Sequence, residues 1–147
     1  MSSSVPAAIT ALLAISKAAL GTNATVWFGK QLSQYQMPIT LQITGVTDGS
    51  QVAKTLGPDY KRDETYDIVC VLTSFAGDLQ YMTRMTEVFA NFSLLTVAIG
   101  NNPTLNQSVR FSEIHSFTYV PGADAKGMTL GQLTFMVACQ ARITSLT

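Results

Sequence analysis

A chain of 147 residues is long enough for one domain with a full apolar core, burying roughly 68–70% of its unfolded surface without help from metals or disulfides. Nine basic and nine acidic residues cancel, which excludes both the basic field of a nucleic-acid binder and a polybasic membrane anchor. Charged residues make up 12% of the chain, about half the usual ~25%, and since obligate interfaces are depleted in charge, this composition points to an oligomer.

The opening stretch "MSSSVPAAITALLAISKAALG" lacks the basic start of a signal peptide, and Lys17 interrupts its apolar run. It reads as a helix. Ser4 is suited to the N-cap and Pro6 to the first turn, where a missing N–H costs little. Ile9, Leu12, Leu13, Ser16 and Leu20 share one face, and Gly21 suits the C-terminal cap. No segment reaches the 18 or so charge-free apolar residues of a membrane span.

Strands follow. "ATVWF" (Ala24–Phe28) is short; Met37–Val46 alternates Ile39, Leu41 and Ile43 with Thr40 and Gln42. Pro38 belongs at its start. Thr47–Pro58, with two glycines and a proline, reads as a long surface loop. A strand then runs from Arg62 to about Thr73, with Tyr66, Ile68, Cys70 and Leu72 on one face. Its second face, Asp67, Val69, Val71 and Thr73, turns apolar halfway along, as if its far end were buried on both sides.

Asp78 is placed to cap a second helix, about Leu79–Ile99. Met82, Met85, Phe89 and Phe92 are its expected core stripe, and "GNNP" stops it. Two last strands, roughly Ser108–Val120 and Met128–Ile143, are joined by the turn-rich "PGADAKG". In the last one Leu133, Phe135, Val137, Cys139, Ala141 and Ile143 share a face. The order α-β-β-β-α-β-β with short links predicts a single domain over 1–147. The expected fold class is α+β: a two-layer sandwich, a mostly antiparallel sheet of four to five strands with two helices on one face.

Motifs of chemistry are absent: no phosphate-binding glycine loop, no G-x-S-x-G elbow, no H-E-x-x-H. Cys70 and Cys139 sit in apolar runs without a C-x-x-C and are expected as buried free thiols. Asn23, Asn91 and Asn106 each start an N-x-[ST] triplet, read as chance matches. His115 is the only histidine. Alternation puts it with Phe111, Phe117 and Tyr119 on the core side, where a partly buried strand histidine is favoured over a base for a thiol. Asp63, Glu64 and Asp67 suggest a metal or acid–base cluster only until Lys61 and Arg62 are set beside them. No catalytic, metal or cofactor site is expected.

The four charges Lys61, Arg62, Asp63 and Glu64 lead straight into a core strand. They are either a solvated strand entry or a specificity device on a surface that another copy reads. An exposed pair is worth only ~0–1 kcal/mol, whereas complementary charges fix register and partner choice.

The succession "KRDET", "DIVCV", "GD" and a long helix, then "NPTLNQSVRFSEI" and finally "TFMVACQARI", resembles the tail terminator (tail completion) proteins of long-tailed bacteriophages, especially those of actinobacterial phages. The likeness runs from about Val26 to Ile143. It implies a fold similar to that of the phage lambda terminator and a hexameric ring seated on the last ring of tail-tube protein. Such a ring ends polymerisation and offers its other face to the head-completion or connector protein. DNA passes through its lumen without specific binding. The implied location is the tail–neck junction of the virion, the protein being made in the bacterial host cytoplasm. By analogy Arg62 and Glu64 are candidates for cross-subunit pairing, with Lys61 and Asp63 beside them. Length and exposure, rather than the likeness, make Asp48, Gln51 and Lys54 in the first loop candidates for tube or connector contacts, with Asp124 and Lys126 in the tip Pro121–Gly127. The alternatives are a head–tail adaptor or a tail-tube subunit and, from another class, a small thiol or histidine enzyme or ligand-binding domain.

Overall fold

The computed structural model describes residues 3–29, 38–53, 61–77, 80–123 and 128–144. Helix α1 spans Val5–Leu20 and ends at Gly21, whose φ of 72° is left-handed and therefore cheap only for glycine; its N–H reaches Lys17 O. The expected stripe is buried at Ile9, Leu12, Ser16 and Leu20, joined by Ala8 and Ala11, while Leu13 is only half-buried. Ser4 occupies the N-cap position but makes no capping bond to its own helix.

Ser16 is fully buried and its hydroxyl has no hydrogen-bond partner among the described residues. A buried unpaired hydroxyl costs about 1–3 kcal/mol, and alanine is also the better helix former. Ser16→Ala is therefore expected to raise the urea midpoint of unfolding. An unchanged or lower midpoint would mean that the hydroxyl is satisfied in solution.

Five strands follow: β1 Ala24–Phe28, β2 Ile39–Ala53, β3 Lys61–Ala76, and, after helix α2 (Tyr81–Gly100), β4 Phe111–Ala123 and β5 Thr129–Thr144. They form one sheet in the order β1-β2-β3-β5-β4. β1 runs parallel to β2; every other pair is antiparallel. This is the expected α+β sandwich. α1 packs over β1 and β2, and α2 over β3, β5 and β4. The core lies between, built from Leu41, Ile43, Ile68, Leu72, Leu133 and Val137 below and Leu12, Val88 and Leu95 above.

Four expectations are corrected. Thr47–Ala53 is not loop: β2 continues through it, paired with β3 as far as Ala53↔Arg62. Its turn-forming residues serve register shifts instead, at Ile43/Gly45 and Thr47/Ser50, where Asp48 takes φ 55°. The remainder of that loop, and Asp78, lie outside the described residues.

The fully buried stripe of α2 is Arg84, Val88, Leu95 and Ile99. Of the expected stripe, Phe89 and Phe92 are half-buried and pack against the core from its edge, Met85 is half-buried and Met82 is 69% exposed. Periodicity finds two neighbouring apolar faces on this helix and cannot say which one is buried deepest.

β4 begins at Phe111 rather than Ser108, because Pro103–Arg110 is used in a tight turn. Leu105, Asn106 and Gln107 there take three consecutive left-handed conformations, φ 46°, 57° and 68°. A left-handed leucine costs roughly 1–2 kcal/mol. Full burial of Leu105 offsets that by a similar ~1.5–3 kcal/mol. Asn102 Oδ1 accepts the Asn106 N–H at 3.0 Å, and its amide donates to Asn106 Oδ1 at 2.6 Å.

Finally, a bulge between Ile114 and Ser116 breaks the alternation of β4. Ser112, Ile114, Phe117 and Tyr119 face the helices, whereas Phe111 and His115 do not. On the second face of β3 Val69 and Val71 stay half-exposed, and burial on both sides is reached only at its far end, where Thr73 pairs with the buried Thr40.

Candidate assembly surface

The charge cluster divides between the two faces of the sheet, because successive strand residues point to opposite sides. Asp63 and Asp67 lie on the open face. Asp63 Oδ1 accepts from Arg142 Nε at 3.0 Å across the β3–β5 ladder. Asp67 Oδ1 lies 3.2 Å from His115 Nε2. His115 reaches it over Ala138, the β5 residue opposite both Asp67 and Glu113. Glu64 points the other way and is buried, 4% exposed. The three carboxylates thus share no site, and no group of three metal-binding side chains occurs among the described residues.

Glu64 meets the start of α1. Its Oε1 accepts the Ser4 backbone N–H at 2.8 Å and the Ser4 hydroxyl at 2.6 Å. Its Oε2 accepts from Ser3 Oγ at 2.8 Å and Gln51 Nε2 at 2.6 Å. The Gln51 carbonyl oxygen in turn accepts from Arg62 Nη1 at 2.6 Å. Arg62 and Glu64, the pair expected to reach across a subunit boundary, are thus linked to each other through Gln51 within this chain. Lys61 and Asp63 are half-buried beside them, and Asp48 is exposed. Lys54, Asp124 and Lys126 lie outside the described residues.

Cys70 and Cys139 are buried free thiols. The register pairs Cys70 with Phe135 and Cys139 with Tyr66. The thiols are therefore four residues apart along the ladder, roughly 13 Å at the strand rise and beyond disulfide reach. Burial pushes the Cys139 thiol up to about 12 and Cys70 higher still, and His115 lies on the opposite face. Neither thiol has the electropositive, open setting of a nucleophile. In native buffer both are expected to resist a disulfide-exchange reagent and to label promptly in denaturant. Rapid native labelling of either would show that the core around it opens.

The surface that periodicity missed is the flank where α2 meets β4. Met82, Met85, Phe89 and Phe92 line that side of the helix. Phe117, 55% exposed, stacks against Phe89 and Phe92 with ring centroids 5.9 and 5.5 Å apart. Phe89 also packs on Tyr119 at 5.5 Å, and Phe92 on Phe135 at 5.2 Å. Val97, 61% exposed, lies on the outer side of α2, and Val120, 54% exposed, lies on the open face of the sheet beside Gln132. Arg84 and Glu87 are the only charged residues of α2, and they bond each other at 3.3 Å. β4 is the end strand of the sheet, so its outer edge offers a row of backbone groups to a further strand. The available sequence signal was the scarcity of charge in α2 and β4 together. At the far edge of the sheet β1 exposes Phe28, 51%.

A cleft of about 790 Å³ runs between α1 and the left-handed turn, with Ala7, Ala11, Leu105, Val109, Arg110 and Ile143 among its walls. No described helix is long and apolar enough to cross a membrane.

Open-faced α+β sandwiches host many functions, and the sandwich alone assigns none. No family model matches the chain, and no curated protein matches it. Among solved structures it is similar to a chain of one described as the virion of a native gene transfer agent particle. The TM-score is 0.39 and the identity 13%, over 92% of this chain and 93% of that one.

Proposed function

We propose that this chain is a structural virion protein that acts by assembly, not by catalysis: copies associate side by side into a closed ring that caps the end of a phage tail tube. The observation that carries the assembly reading is the apolar α2–β4 flank beside the thirteen-residue end strand β4, whose outer edge pairs with no described strand. A chain poor in charge that leaves such a flank in water has a partner for it. Two unlike edges, β4 and β1, suit a heterologous contact, which closes into a ring when the rotation per subunit allows. The terminator role rests on the order of the sequence motifs from "KRDET" to "TFMVACQARI". In that role the ring is a hexamer, one face on the tail-tube protein and the other on the connector, with DNA passing through the lumen unread.

The test is electron microscopy of tail tubes polymerised with and without the purified chain, alongside light scattering of the chain alone. A terminator shortens or caps tubes and forms rings without growing into tubes itself. Long tubes from the chain alone would make it a tail-tube subunit. Binding to connector but not to tube would make it an adaptor. A strict monomer that binds neither overturns the reading.

A further inference from the structure

We propose that Glu64 is a latch: its carboxylate, standing where a helix cap would stand, holds the first turn of α1 against the paired arm of β2 and β3, so that neutralising it frees that turn while the sheet stays folded. The geometry makes the case. Ser4 sits at the N-cap of α1 yet gives its own helix no side-chain cap, and the Val5 N–H goes to Ser3 Oγ at 3.1 Å instead. Its hydroxyl and its N–H go to Glu64, 60 residues away. The carboxylate thereby supplies both the acceptor and the negative charge that a helix N-terminus favours. The second carboxylate oxygen takes Ser3 and Gln51, and Gln51 passes the connection to Arg62. Ser4 Oγ also lies 2.8 Å from Tyr66 Oη.

Among the described residues the carboxylate is met mainly by neutral groups. Ser3, Ser4 and Val5 bring none from α1, and β2 brings the neutral Gln51. On β5 the same face carries Ala141 and Ile143, while Arg142 is held by Asp63 on the opposite face. On β3 itself Arg62 acts through Gln51, Lys61 lies on the other face, and Tyr66 is held neutral because burial pushes its phenol up to about 12. Among the described residues Arg110 is a further cation near it, lining a small cavity shared with Glu64 and Asp63.

Burial by itself would raise the Glu64 carboxyl, but the bonds from Ser4, Gln51 and Ser3 outweigh it and leave the group below the usual carboxylate value. A carboxylate depressed in the folded state stabilises fully above its unfolded pKa. That contribution is lost as pH falls through the folded value. The latch is therefore closed at neutral pH and opens in acid.

Amide hydrogen exchange on the full chain tests this, with rates corrected for intrinsic chemistry, in wild type, Glu64→Gln, Glu64→Ala, Ser4→Ala and a Tyr66→Phe control. At neutral pH the peptide covering residues 3–12 is expected to exchange about tenfold faster or more in Glu64→Ala, with β3 and β5 unchanged. Ser4→Ala, which removes two of the bonds without cutting into the sheet, should show the same local loss to a smaller degree, and Tyr66→Phe little. Wild type taken stepwise from about pH 7 down through and below the usual carboxylate range should come to resemble Glu64→Ala, and Glu64→Gln should lose that pH response. Unchanged protection of residues 3–12 in both Glu64→Ala and Ser4→Ala overturns the latch. So does a loss spread evenly over β3 and β5, or a pH response retained in Glu64→Gln.

Discussion

Phe117→Asp is expected to give a folded chain that no longer self-associates. Phe117 is 55% exposed, so more than half of its area stays in water within the subunit. The fold should lose only its ring contacts with Phe89 and Phe92, about 0.5–1.5 kcal/mol each. In the proposed ring the same side chain lies at the centre of the apolar flank, between α2 and the free edge of β4. Interface aromatics in such places carry 2 kcal/mol or more, and burying a new carboxylate against a partner adds several more. Every contact of a closed ring repeats the loss, so assembly should fail outright. Circular dichroism with light scattering separates the outcomes. A native spectrum with monomer mass supports the flank as the contact. A native spectrum with unchanged assembly places the contact elsewhere, and global unfolding would show that the ring belongs to the core.

Gly131→Val is expected to be the most damaging single change to the fold. Gly131 lies on the helix side of β5, opposite Ser74 of β3 and Pro121 of β4. A Cβ there would run into the Tyr119 hydroxyl and lie 3.2 and 3.3 Å from the Cβ and backbone carbon of Arg84. The Arg84 backbone cannot give way cheaply. Arg84 is buried in the first turn of α2 and bonded to Glu87, whose second oxygen accepts from Ser74 Oγ at 2.8 Å. Overpacking costs about 1–3 kcal/mol where neighbours can shift; here a helix, with its tie to β3, must lift off the sheet. Gly131→Ala should show a smaller loss of the same sign, and Gly131→Val a larger one with weakened Phe92–Phe135 packing. Thermal and urea unfolding read both. A valine variant as stable as wild type would mean that α2 already stands clear of β5.

These two residues also show where sequence reading stopped. Gly131 stood in the clearest alternating run of the chain, and nothing in that run marked it as the place where a helix crosses. Close approach of two elements is a relation between distant residues, Gly131 with Arg84 and Tyr119, and leaves no local pattern. Phe117 was assigned to the core side by alternation, and it does face the helices. The assignment came with His115 only because the one-residue bulge at Ile114–Ser116 was invisible; an extra residue in one strand is defined by its partner β5. Likewise Met82, Met85, Phe89 and Phe92 were found as a stripe, but their burial depends on how α2 rolls on the sheet. Val88, Leu95 and Ile99 won that place.

What the chain's own letters settled is the set of elements and the class of fold. Strict alternation marked the buried faces of β3 and β5, the stripe and caps marked α1, and the two cysteines were legible as buried thiols. These are local properties, carried by periods of 2 and 3.6 residues. Tertiary structure alone turned "TDGSQVA" into strand by pairing it with β3. It also aimed Glu64 inward at Ser4 while Asp63 and Asp67 faced out, and left the α2–β4 flank uncovered. Each of these is decided by what lies opposite a residue, and pairing partners tens of residues apart in the chain cannot be read from either segment by itself.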